Sequence, residues 1–267
     1  LAGGSAMAEL LVYEPFPIGE SGYTAGNNLR QDIEWAEFGG CGDFVVSGSG
    51  LTYEKDGRHL QTSGGSVHPA ADSMSSGSRV GCEATIGSEL YVSFLVQMQD
   101  VDNGKAAVVL QYDVGGYQLV IEIDGGNACI IGTSNYPSDS QGNHIPHHTP
   151  FDSVGLESST THLVVFGLEQ GSGKQTDTTF WLDPDLSNPD SPDDVGESYF
   201  FMKQYELNFF GIFAENGTTT GKGGVIIDEV RIGSTLSDVL PHAPEPGSMA
   251  MLAAGAVLLI RRRRRAA

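Results

Sequence analysis

Glu122-Ile123-Asp124 is the first place where paired acids could do chemistry. Residues two apart on a strand share a face, so both carboxylates would point the same way. Such a pair could begin a set of acids for retaining glycoside hydrolysis, in which nucleophile and acid/base stand about 5–5.5 Å apart and a further acid must supply the acid/base. Gly125, Gly126 and Asn127 follow, so no further acid continues the series. Glu122 and Asp124 are therefore read as exposed positions beside a hairpin turn, and no catalytic residue is assigned. No G-x-S-x-G, P-loop or H-E-x-x-H pattern occurs either.

A second set of groups could hold a metal. From Asp177 to Glu197 the chain has seven acids and no Lys or Arg. Asp183, Asp185, Asp190, Asp193 and Asp194 sit among Pro184, Pro189 and Pro192. Carboxylate oxygens in a stiffened loop suit Ca²⁺, which takes six to eight oxygen ligands. Asp183 and Asp185 are the candidate ligands, and a solvated acidic loop is the equal alternative. His144 precedes Pro146, and His147 and His148 stand between Pro146 and Pro150; the stretch reads as a polar loop. Asn216-Gly217-Thr218 fits a glycosylation sequon but reads as a β-turn. The three cysteines show no metal spacing; Cys41–Cys82 is the pair an exported protein would bridge, and unpaired thiols fit equally well. Phe209, Phe210 and Phe213 are assigned to the core. Trp35, Tyr112, Tyr117 and Tyr136 are core or turn residues by default, with sugar stacking as the alternative.

The elements that must position these groups are strands. Strand-like runs cover Leu10–Tyr13, Leu90–Met98, Ala106–Tyr112, Tyr117–Ile123 and Ala128–Ile131. Others cover His162–Leu168, Thr178–Leu182, Leu207–Ala214 and Gly224–Ile232. Gly115-Gly116 and Gly125-Gly126 join the middle runs into a meander. Only Leu236–Leu240 offers a helical turn. Many strands, frequent Gly turns and no βαβ alternation predict an all-β antiparallel sandwich. Residues 9–243 hold 9 basic and 33 acidic residues, a net charge of −24. That excludes a nucleic-acid binder, which needs clustered Lys and Arg. It also excludes a body lying on anionic lipid.

The two ends concern export. Ala6-Met7-Ala8 fits a small-residue cleavage site, so residues 1–8 read as a signal-peptide remnant with Glu9 as the mature start. Residues 241–246 form a Pro-rich linker containing Pro244, Glu245 and Pro246. Residues 247–267 follow as an apolar stretch, then Arg261, Arg262, Arg263, Arg264 and Arg265. At about 1.5 Å per residue, a helix over 247–260 is ~21 Å long, short of the ~30 Å hydrocarbon core. The arginines should stay cytoplasmic, which puts the body outside. This order of PEP, short apolar helix and Arg cluster resembles the PEP-CTERM sorting signal. The resemblance implies recognition by exosortase, a membrane-embedded transpeptidase that cleaves near the PEP.

Three short motifs carry a second resemblance. Tyr13-Glu14-Pro15-Phe16 opens the body, Trp181-Leu182-Asp183-Pro184 lies late in it, and Ile227-Asp228-Glu229-Val230-Arg231-Ile232 closes it. They are similar to motifs of concanavalin A-like, laminin-G-like jelly rolls. The resemblance implies one sandwich over residues 9–240 with its first and last strands adjacent. Glu14 and Asp228 would then share a structural Ca²⁺. Glycosidases of that class use E-x-D-x-x-E, which this chain completes only to Glu122 and Asp124. The expected function is that of an exported surface or matrix protein with a non-catalytic module that binds glycan. A polysaccharide hydrolase or lyase on the same scaffold and a purely structural matrix protein are the alternatives. Expected partners are exosortase, an extracellular polysaccharide and the membrane through residues 247–260.

Overall fold

Strands whose side chains alternate in burial need two packed layers to hide one face of each, and the chain builds them. The computed structural model describes residues 10–19, 22–32, 35–37, 41–60, 62–70, 75–112, 118–124, 127–133, 147–151, 155–170, 176–186, 192–198, 206–216 and 224–240. In chain order the elements begin with β1 (Leu10–Glu14), α1 (Leu29–Asp32), β2 (Ala36–Glu37), β3 (Phe44–Ser47), β4 (Glu54–Lys55) and β5 (Arg58–His59). Next come β6 (Ser66–Pro69), β7 (Ser75–Thr85), β8 (Glu89–Met98), β9 (Lys105–Tyr112), β10 (Gln118–Asp124) and β11 (Asn127–Thr133). The series ends with β12 (His147–Phe151), β13 (Thr161–Gln170), β14 (Thr176–Leu182), β15 (Asp194–Ser198), β16 (Glu206–Glu215), β17 (Val225–Gly233) and α2 (Leu236–Val239).

An eight-stranded sheet runs β15-β14-β13-β8-β17-β6-β3, with β1 added on β17. A seven-stranded sheet runs β12-β11-β10-β9-β16-β7-β2. The chain passes between the sheets at β1–β2, β2–β3, β6–β7, β7–β8, β8–β9, β12–β13, β15–β16 and β16–β17, which is the jelly-roll habit of threading a sandwich. The main core lies between the sheets. Val92, Phe94 and Val96 of β8 meet Ala106, Val108 and Leu110 of β9 and Ile121 of β10 there. Trp35 belongs to it, edge-on to Phe210 at 5.4 Å. Tyr91 and Leu95, on the opposite face of β8, join a second apolar cluster with Leu163, Val165 and Trp181. Both faces of β8 therefore pack.

Several expectations change. The chemically bland run Ser75–Thr85 is β7, the long strand between β16 and β2. His147 and His148 lie in β12, opposite Gly132 and Ile131, rather than in a loop. An edge strand tolerates Pro150 because one side of it makes no ladder. His144, Tyr117, Tyr136, Asp190 and both Gly-Gly pairs lie outside the described residues. So do residues 1–9 and 241–267. Cys41 and Cys82 are free thiols, so the bridge is not formed. Cys82 Sγ instead donates to the Leu207 carbonyl at 3.8 Å. No helix among the described residues is long and apolar enough to cross a membrane.

Candidate functional site

Two polar constellations stand out, and they do different things. The first lies where β1 meets β17, with Glu14 opposite Val230 in register. At Asp228 to Arg231 the ladder with β8 slips, and Glu229 takes a φ of 52°, the geometry of a bulge. The bulge turns two consecutive acids inward. Asp228 Oδ2 accepts Leu51 N–H at 2.7 Å, and Oδ1 accepts Glu229 N–H at 2.7 Å. Glu229 Oε1 accepts Ser63 N–H, while Oε2 accepts Tyr13 Oη–H at 2.9 Å and Arg231 Nη2 at 2.8 Å. The Arg231 guanidinium lies 4.9 Å from the Tyr13 ring centroid. Burial pushes Asp228 up to about 8, and the Glu229 charge adds to it against two N–H donors. Glu229 and Glu14 are raised for the same reason, burial, with their hydrogen bonds opposing.

This set is a clamp. Leu51 and Ser63 bracket the segment that folds the β4–β5 hairpin over the outside of the eight-stranded sheet. There Tyr53 and Leu60 cover Trp181, with Leu186, Val239 and Leu240 closing the rest. Glu14, at the end of β1, holds Phe16 N–H at 2.8 Å and Tyr23 Oη–H at 3.1 Å. Each candidate calcium carboxylate at this junction thus has protein donors of its own. Asp183 is equally engaged. Its Oδ1 accepts Leu163 N–H at 2.8 Å, and its Oδ2 faces His162 Nδ1 at 2.7 Å. His162 Nε2 accepts Glu157 N–H at 2.9 Å, which assigns the proton to Nδ1. Asp193 caps Leu182 N–H at 2.6 Å, and Asp185 is exposed. Among the described residues no three His, Cys, Asp or Glu side chains form a metal-binding group.

The second constellation is the outer face of the seven-stranded sheet. Side chains with the parity of Glu122 face away from the core, and the register aligns them in rows. One row runs Asn127, Asp124, Lys105, Glu215. The next runs Cys129, Glu122, Ala107, Phe213. Then come Val120, Val109, Gly211 and Arg79, and last Gln118, Gln111 and Phe209. Phe210 is core as expected, but Phe209 and Phe213 belong to this face.

Glu122 was expected to be exposed; it is only 6% so. Its Oε1 accepts the Cys129 thiol at 3.1 Å, and Lys105 Nζ lies 3.7 Å from Oε2. Lys105 also pairs with Asp124 at 2.9 Å. Burial pushes the Cys129 thiol up, and Glu122 beside it adds to the rise. Burial pulls Lys105 down, but Asp124, Glu122 and Glu215 outweigh it and leave it raised. At the other end, Arg79 Nη1 donates to Gln111 Oε1 at 2.7 Å. The Arg79 guanidinium lies 5.0 Å from the Phe209 ring centroid. Gly211 makes room for this: a Cβ there would stand 3.0 Å from the Ser78 carbonyl oxygen and 3.3 Å from Arg79 Cβ. Sequence reasoning missed Arg79 and Gln111, and only the pairing of β16 with β7 on one side and β9 on the other brings them together.

Solved structures of similar fold include an endo-β-1,4-glucuronan lyase from Trichoderma reesei, 12% identical over 77% of this chain and 96% of that one, TM-score 0.42. A Bacillus licheniformis β-glucanase is 11% identical over 86% and 99%, TM-score 0.42. A legume lectin-like domain from Entamoeba histolytica is 10% identical over 71% and 87%, TM-score 0.41. Comparison with curated proteins finds no match. Residues 242–265 match the model of the PEP-CTERM protein-sorting motif, which marks the protein for export. The chain is thus a jelly-roll β-sandwich protein that carries a PEP-CTERM sorting signal.

Proposed function

We propose that this is a surface or matrix protein whose seven-stranded sheet binds glycan on its outer face without turning it over. The sorting motif supports a route in which residues 247–260 hold the chain at the membrane until an exosortase removes the tail near Pro246. The carrying observation for binding is the row structure of the outer face. Half-buried aromatic and planar polar side chains, Phe209, Gln111 and Arg79, lie beside the small Gly211 floor. Pyranose rings need such a surface: an apolar patch for their C–H face and fixed donors and acceptors for their hydroxyls. Glu122 argues against turnover. It is the one acid buried at the centre of the face among the described residues, and it faces a thiol and a lysine rather than a second carboxylate.

An array of polysaccharides probed with the intact chain in detergent tests this, run with calcium and with chelator. Saturable binding without new reducing ends or unsaturated products is the expected result. Turnover of any polymer would replace the module with an enzyme, for which Glu122 beside Lys105 is the observation in favour. A blank array from a folded protein would leave a purely structural matrix component.

A further inference from the structure

Leu10, Tyr13, Ile18 and Val195 are the exposed large apolar side chains among the described residues. Single exposed apolar groups are ordinary, but three of these stand together at 44%, 39% and 40% exposure, while Val195 lies on the far edge strand β15. The slip of register between Leu10 and Val12 puts Leu10 and Tyr13 both on the outer face of the eight-stranded sheet, opposite Gly233 and Arg231. Ile18 reaches the same patch. A Cβ on Gly65 would stand 3.0 Å from its Cδ1, and Ser63, two residues earlier, has its Oγ 3.0 Å from Tyr13 Oη. Glu14, the one acid in residues 10–18, is turned onto Phe16 N–H and Tyr23 Oη–H.

Where the chain leaves the body decides what meets this patch. α2 is the last described element, and its end is packed, with Val239 and Leu240 buried. Ser93 Oγ–H donates to the Val239 carbonyl at 2.8 Å, and Ser93, Arg231 and Tyr13 lie in one cross-strand row. Two strand spacings, about 10 Å, separate Tyr13 from the strand under this exit. From Leu240 to Gly247, where the apolar stretch begins, extended chain spans at most about 25 Å. A body the length of residues 10–240 has a radius of gyration of about 17 Å and is about 45 Å across.

We infer that Leu10, Tyr13 and Ile18 form a docking patch for the lipid surface that the tail enters. The inference rests on the membrane reading of residues 247–260. A tether shorter than the body is wide keeps the side of the chain exit at the headgroups. There the patch supplies what a membrane interface takes: two aliphatic side chains and a tyrosine ring whose hydroxyl already donates to Glu229. The tether supplies effective concentration, so three side chains too few to hold a free body suffice while the tail is in place. Residues 9–243 carry −24, which anionic lipid repels, so the contact suits zwitterionic headgroups and ends when the tail is cut. In this orientation the outer face of the seven-stranded sheet points away from the membrane.

The test puts the full chain into vesicles of phosphatidylcholine, and into vesicles of the same lipid brominated near the top of its acyl chains, which quenches indole on contact. Trp35 and Trp181 are buried and give a fixed background. Leu10→Trp and Ile18→Trp should each lose most of their added emission in the brominated vesicles. Phe209→Trp, on the outer face of the opposite sheet, should keep its emission. Unchanged thermal melting of the three variants shows that the fold is kept. Patch variants that float with the vesicles but emit equally in both lipids overturn the docking patch and leave the membrane anchor standing. Equal loss of emission from Phe209→Trp overturns the orientation, and with it the patch as the docking side. A chain that does not float with the vesicles overturns the membrane reading of the tail, and the patch falls with it.

Discussion

The two sheets of one sandwich treat their outer faces in opposite ways. Outside the eight-stranded sheet, apolar side chains are covered: Trp181, Leu163 and Val165 lie beneath Tyr53, Leu60, Leu186 and the α2 residues. Outside the seven-stranded sheet, the rows carry Arg79, Gln111, Lys105, Glu122 and Asp124. On the covered side the ionisable groups serve the cover. Asp228 and Glu229 reach through β17 to hold Leu51 and Ser63, and Lys55 Nζ donates to the Asp183 carbonyl. On the other side Arg79 is held in place but not neutralised within the described residues. The eight-stranded sheet makes stability from its hidden face, whereas the seven-stranded sheet buries Glu122, Val109 and Ala107 and leaves Arg79, Gln111 and Phe209 partly exposed.

The largest expected effect probes the covered face. Trp181 is 5% exposed and packs near Tyr91 with a ring separation of 6.4 Å. Gly167, opposite Thr179 on the neighbouring strand, leaves only enough room for those rings, since a Cβ would stand 2.9 Å from the Tyr91 ring and 3.1 Å from the indole. Trp181→Ala should cost about 3–5 kcal/mol in equilibrium unfolding, the range for a buried tryptophan. Its buried Nε1 has no partner, so truncation leaves no acceptor stranded. A cost below ~1.5 kcal/mol would mean that the hairpin cover is not a second core and that the contrast between the faces is superficial.

The next effect probes the clamp. Asp228→Ala leaves the N–H groups of Leu51 and Glu229 without acceptors and should cost about 1–3 kcal/mol. The pH dependence sharpens this. Asp228 is raised from 3.8 to about 8, so the folded state holds its proton more tightly than the unfolded chain. Stability should therefore be greatest at acid pH and fall between about pH 4 and pH 8, where the carboxyl is ionised in the unfolded chain but still protonated in the fold. Below pH 4 both states are protonated, and above pH 8 the loss is complete. Asp228→Ala should flatten that slope, so wild type and variant converge as pH rises. Parallel curves from pH 5 to pH 9 would assign the slope to other groups. They would also show that the two N–H donors keep Asp228 ionised throughout.

How much of this was legible follows from where each signal resides. β8, β9 and β10 announce themselves because their alternation is local, and so does the closing strand β17. The motif-based likeness also placed β1 beside β17, as the Glu14–Val230 register bears out. β7 hid because Ser and Gly carry no hydrophobic period; its burial comes from β16 and β2 on either side. Arg79 hid with it, since its hydrogen-bond partner Gln111 is 32 residues away. Glu122 was misread because the turn after it predicts exposure, whereas its surroundings depend on Cys129 and Lys105 across two strand pairings. Asp183 drew attention as an acid in an acidic loop, but its role is backbone capping, which needs only the adjacent end of β13. Pattern shows which residues form a strand, while burial and partnership of polar groups depend on contacts between distant strands.

The smallest effect decides whether the acidic loop belongs to either face. Asp185 is exposed, two residues past Asp183, whose own carboxylate is committed to Leu163 and His162. Asp193 is likewise committed to Leu182 N–H. A calcium ion there would need to recruit Asp185 together with oxygens that now satisfy backbone donors, or take further ligands from outside the described residues. In a solvated loop, Asp185→Ala should change stability by no more than about 0.5 kcal/mol, equally in calcium and in chelator. It should even stabilise slightly at low salt, because one negative charge leaves a body at −24. A bound ion gives a different pattern. Wild-type melting would then rise in millimolar Ca²⁺ beyond its rise in Na⁺ of equal ionic strength, and Asp185→Ala would lose that excess. Measured side by side, the two ions separate screening of a repulsive loop from occupation of a site. Only a calcium-specific excess that disappears with Asp185 would make the acidic loop a metal site.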